Sequence, residues 1–126
     1  MTDATHHPVA WTEIPVTDMQ AAMEFYNKAM DFGLTIDTTG PNPVAMIPTP
    51  DGNAVAGHLY PGKPGKGAGP TIHFNVPGTV EAALEKWVAA GGRQVYDSVI
   101  EIPPGRFAYV QDPDGNSIGL FEAKRM

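Results

Sequence analysis

The tetrapeptide Pro-Asp-Gly-Asn occurs twice, at residues 50–53 and 113–116, so the two copies are 63 positions apart. The surrounding residues repeat as well. "AAME" at Ala21 to Glu24 faces "AALE" at Ala82 to Glu85, and Met19/Val80, Ala22/Ala83, Met23/Leu84 and Tyr26/Trp87 are each separated by 61. A turn can recur by chance, whereas a helical stripe recurring in the same register indicates a duplicated unit. That duplication limits the fold sharply. A unit of strand, helix and three strands covers one face of its sheet with its own helix, and its other face is left to a second unit.

Each half reads in that order. Val9 to Val16 alternates as a strand, with Ile14 and Val16 on one face and Trp11 and Glu13 on the other; Pro15 cannot donate to a ladder and marks a loose edge. Thr17 and Gln20 have the spacing of a capping box ahead of the first helix, which Gly33 stops. Leu34 to Asp37, Val44 to Ile47 and "AVAGHLY" follow as three strands, the last two joined by a hairpin at Asp51-Gly52 of the type that needs positive φ. After the connector "PGKPGKGAGP" come the strand "TIHFNV", a second helix stopped at Gly91-Gly92, and the strands "RQVYDSV", "RFAYVQ" and "SIGLFE". The expected fold is α+β: two tandem βαβββ modules forming an eight-stranded incomplete barrel with a concave cleft and the helices outside. Residues 1–126 make one domain, with module one over 8–60, a linker over 61–70 and module two over 71–123.

Composition narrows the function. The chain has no cysteine, which removes disulfide and thiolate chemistry, and no apolar run long enough to span a bilayer. A net charge of -6 with only 8 Lys and Arg argues against a nucleic-acid partner. The first residues lack the basic start and apolar core of a signal peptide, so a cytoplasmic protein with no membrane contact is expected.

The stretches "EIPVTDMQAAMEFYNKAMDFGL" and "GRFAYVQDPDGNSIGLFE" resemble the first strand and helix and the closing hairpin of the vicinal-oxygen-chelate superfamily, which includes glyoxalase I, bleomycin-resistance proteins and extradiol dioxygenases. The resemblance covers nearly the whole chain. It implies a small-molecule ligand in the central cleft, frequent assembly as a homodimer, and a divalent metal held by one His or Glu from the first and last strands of each module. Carried onto this sequence, those positions fall on Trp11, on Thr71, on Gly119, and on either Ala56 (by the internal repeat) or His58 (by the family spacing). The usual four-ligand site is therefore largely missing.

Period-two alternation turns Trp11, Glu13, Ala56, His58, Thr71, His73, Asn75 and Phe121 toward the cleft. Three readings stay open. Glu13, His58 and His73 make a two-His-one-carboxylate set suited to one divalent ion, Zn, Ni, Mn or Fe. Without a metal, Glu13 and His73 make a catalytic acid–base pair, since imidazole changes charge near neutral pH. In the third reading these groups only satisfy one another in a ligand pocket. Trp11, His58, Asn75, Tyr109 and Phe121 are the candidate ligand-binding residues, giving an apolar slot with a few polar anchors. Function divides accordingly between a glyoxalase-like lyase, isomerase or oxygenase and a metal-free binding protein of the drug-resistance or sequestration kind. His6 and His7 point opposite ways on an extended chain, and Asp112, Asp114 and Asn116 lack the terminal carboxylate of a calcium loop.

Overall fold

The computed structural model describes residues 10–50 and 56–124. The first Asp-Gly turn, Val55 and the pair His6 and His7 lie outside the described residues. The first half runs β1 (Thr12–Val16), α1 (Met19–Met30), β2 (Thr35–Asp37), β3 (Val44–Met46) and β4 (Gly57–Pro61). The second runs β5 (Ile72–Asn75), α2 (Val80–Ala90), β6 (Arg93–Gln94), β7 (Ile100–Ile102), β8 (Gly105–Gln111) and β9 (Ser117–Ala123).

The strands form two sheets, in the order β1-β4-β3-β2 and β5-β9-β8-β6, with β7 also on β8. In both, the module's first strand runs parallel to its last, Glu13 opposite His58 and His73 opposite Gly119. The α+β class with paired βαβββ modules is as expected, and there is no closed barrel among the described residues. The strand count differs. Where "RQVYDSV" reads as one strand, the strand stops after Arg93 and Gln94, which face Gln111 and Val110, and a further short strand just beyond that stretch, Ile100–Ile102, faces Phe107–Gly105 on the same edge of β8. Asp97 and Ser98 between them favour turns over ladder pairing.

Both helices are capped locally. Asp18, not Thr17, is the N-cap of α1: its Oδ1 accepts from the Ala21 N–H at 3.1 Å, while the Thr17 hydroxyl donates across the modules to Asp114 at 2.6 Å. Thr79 caps α2 in the same way through the Ala82 N–H. The helix α1 ends before Gly33, on Asp31 in the left-handed region at φ 55°.

A continuous core joins the halves. Ile14, Val16 and Leu59 of the first sheet and Val110, Ile118 and Leu120 of the second are buried in one cluster with Phe25, Tyr26 and Trp87 of the two helices. Phe25 meets Trp87 edge-on at 4.7 Å between ring centroids, and Tyr26 meets Phe74 edge-on at 6.3 Å. The second Pro-Asp-Gly-Asn copy and the Asp112 just before it tie this core shut: Asp112 accepts from the Tyr26 hydroxyl at 2.7 Å, and the Asn116 amide donates to the Pro15 carbonyl at 2.8 Å.

Candidate functional site

Alternation along β1 and β4 leaves one face of the first sheet open opposite its buried Ile14 and Leu59. Glu13, His58 and Tyr60 stand on that open face. The Trp11 indole N–H donates to His58 Nδ1 at 3.0 Å, which makes Nδ1 an acceptor and places the proton of a neutral imidazole on Nε2. Nε2 lies 3.5 Å from Glu13 Oε2. The Tyr60 ring stands edge-on to the imidazole at 6.2 Å. A cavity of about 560 Å³ is lined by Glu13, His58 and Tyr60 together with Asp37 and the turn that follows it.

On the second sheet the corresponding face is aromatic. A Cβ built on Gly119 would fall 2.1 Å from His73 Nδ1, so the imidazole lies directly over the glycine. Phe107 meets that ring edge-on at 4.7 Å, and Tyr109 lies 6.0 Å away. Desolvation among these rings holds His73 below its ordinary pKa, favouring the neutral imidazole. Asn75 and Phe121 are ladder partners further along β5 and β9. A larger cavity, about 920 Å³, lies between the modules: Thr12, Phe32, Ile47 and Ala56 on one side, Thr71 to Asn75 on the other. His73 therefore belongs both to this cavity and to the aromatic cluster.

The residues present do not fit a metal at the positions the resemblance implies. The Trp11 indole nitrogen carries a proton and donates it. Thr71 Oγ1 is 2.5 Å from Ser117 Oγ and shares a hydrogen bond with it. Gly119 offers no side chain, and the space a carboxylate would need is filled by His73. Of the two remaining candidates, Ala56, just before β4, packs against the hydrophobic core, and His58 on β4 faces Glu13. Glu13 is thus paired with His58, while His73, an exposed residue, lies over Gly119 beside Phe107 and Tyr109. Among the described residues no group of three or more His, Asp or Glu is gathered so as to hold an ion.

Two contacts are beyond sequence reasoning because no local spacing encodes them. The Trp11–His58 bond joins residues 47 positions apart. The seat of His73 depends on what residue 119 lacks. Tyr60 could have been found, since alternation places it on the face of His58.

The family model of the Glyoxalase/Bleomycin resistance protein/Dioxygenase superfamily matches residues 8–120. The chain belongs to that superfamily. Among curated proteins it is 29% identical over 119 residues to the provisionally named glyoxylase CFP32 of Mycobacterium bovis and of Mycobacterium tuberculosis. That match takes in 91% of the chain and 45% of the relative, so the chain spans about half the length of the curated relatives it matches. Among solved structures, a glyoxalase/bleomycin resistance protein from Albidiferax ferrireducens superposes with a TM-score of 0.69 at 19% identity, over 92% of this chain and 98% of that one, a likeness of fold. TnmS3, an antibiotic-binding protein from a Streptomyces species, is 27% identical with a TM-score of 0.65, over 98% of this chain and all of its own. No helix among the described residues is long and apolar enough to cross a membrane.

Proposed function

We propose that this superfamily member is a metal-independent binding protein for a small, largely apolar molecule, held in the cavity between the modules against His73. The observation that carries this reading is the imidazole lying over Gly119. It replaces a charged, ion-holding carboxylate with a ring that burial favours as neutral, beside Phe107 and Tyr109. A ligand there gains from ring stacking and from one hydrogen-bonding nitrogen, the usual make-up of a small-molecule pocket. The likeness to an antibiotic-binding protein supports sequestration as the purpose.

A second reading rests on Trp11. By donating to His58 Nδ1 it fixes the tautomer whose Nε2 proton faces Glu13, the arrangement a proton-transfer pair needs. In that reading Glu13 works with His58, and the chain is an acid–base lyase or isomerase. A homodimer is expected in either case.

Two measurements test the first reading. Mass spectrometry of the intact protein is expected to find no stoichiometric transition metal, and a thermal-shift screen of planar aromatic compounds is expected to find ligands whose stabilisation disappears in His73→Ala. A bound metal lost in His73→Ala, or aromatic ligands insensitive to that substitution, would overturn the first reading.

A further inference from the structure

The cavity on the first sheet is chemically unlike the one at His73. Glu13 is on β1 and Asp37 on β2, the two edge strands of the order β1-β4-β3-β2. Register puts both on the same face: Glu13 pairs with His58, His58 with Met46, and Asp37 with Val44, all opposite in parity to buried Ile14, Leu59 and Ala45. Three strand spacings separate the edge strands, about 14 Å at the usual interstrand distance. Between the carboxylates the floor carries the rings of His58 and Tyr60.

Neither acid is neutralised. The imidazole facing Glu13 is the neutral tautomer, because Trp11 occupies its Nδ1 lone pair. Asp37 Oδ1 accepts from the Thr39 N–H at 2.8 Å and its hydroxyl at 2.7 Å, bonds that favour the ionised carboxylate and lower its pKa. No lysine or arginine lines the cavity among the described residues. An opening of about 560 Å³ thus has a negative group at each end, uncharged rings between, and no cation of its own.

The geometry points to a binding site for an elongated organic dication, a straight-chain diamine lying across the strands with one ammonium on Glu13 and the other on Asp37. Its methylene chain crosses the rings of His58 and Tyr60, which give it apolar contact between the two charged ends. This site is separate from the apolar cavity at His73, so it stands or falls independently of the binding function proposed there, while it shares Glu13 and His58 with the acid–base reading.

Calorimetric titration of the full chain at low salt tests it, using octamethylenediamine against octylamine, which has the same chain length and one charge fewer. The diamine is expected to bind more tightly, and diamines of three to ten methylenes to show an optimum at intermediate length. Glu13→Gln and Asp37→Asn are each expected to weaken the diamine about fivefold, the size of one partly exposed ion pair, and His73→Ala to leave it unchanged. Both variants are conservative at solvent-facing positions, and Asn at 37 can still accept from Thr39, so folding is preserved; coincident circular-dichroism melts verify that. Equal binding of octylamine and the diamine, indifference to both substitutions, or no diamine binding at all would each overturn the proposal.

Discussion

Asp112 is 2% exposed, and its two oxygens accept four hydrogen bonds: from the Tyr26 hydroxyl, the Asn116 amide, and the backbone N–H groups of Asp114 and Asn116. Burial first, then the charge of Asp112, pushes the Tyr26 phenol well above its ordinary pKa, so it remains a donor. Tyr26→Phe is expected to cost about 1–2 kcal/mol, because the carboxylate keeps three of its donors. Asp112→Ala strands all four and should cost about 3 kcal/mol, read as a lower urea midpoint at unchanged slope. His73 adds a pH term. Its folded pKa is lowered, so the unfolded chain binds the proton more readily; the associated stability is complete above the imidazole's ordinary value, about 6.5, and is lost as pH falls toward the folded pKa. Gly119→Ala should expel the ring, moving the His73 titration followed by NMR upward toward its ordinary value and flattening that slope. A His73 titration unchanged in Gly119→Ala would show that the glycine is not its seat.

Helix ends show where sequence patterns compete. Thr17 with Gln20 satisfies the spacing of a capping box, yet Asp18 also satisfies the chemistry of an N-cap one residue later, and its oxygen reaches the Ala21 N–H. Gln20 instead donates to Glu24 on the helix surface. Asp18→Ala is therefore expected to destabilise by about 1 kcal/mol, against a few tenths for Gln20→Ala, measured by thermal denaturation. The helix stripes and the inward set Ile14, Val16 and Leu59 were legible because periods of 3.6 and 2 are carried by the chain itself. The second Pro-Asp-Gly-Asn, with Asp112 before it, was legible as a turn but not as a clamp. Asp and Asn are ordinary turn residues, and only the approach of α1 and β1 from the other module turns Asp112 and Asn116 into buried partners. Which of His58 and His73 stands beside Glu13 was likewise hidden, since parallel pairing of β1 with β4 decides for His58.

At the scale of the molecule, the two sheets share no ladder among the described residues, so what unites them is side-chain packing and side-chain hydrogen bonds between modules. Trp87 of α2 is fully buried, packs edge-on against Phe25 and Tyr26 of α1, and donates its indole N–H to the Gln111 carbonyl at 2.9 Å. A module cut from its twin would expose the Phe25–Trp87 contact and leave Asp112 without Tyr26. Neither half then retains the burial that offsets the entropy of ordering its backbone. Unfolding should accordingly be one cooperative event. In a Trp11→Phe background, Trp87 fluorescence reports the packing between modules and far-ultraviolet dichroism reports both halves; the two denaturation curves should superpose. Phe25→Ala, a change confined to the first module, is expected to cost about 3–5 kcal/mol and to shift both curves together. If dichroism instead retained half its native signal after the fluorescence transition was complete, the modules would be independently stable, and the cavity between them would be a hinge between two bodies.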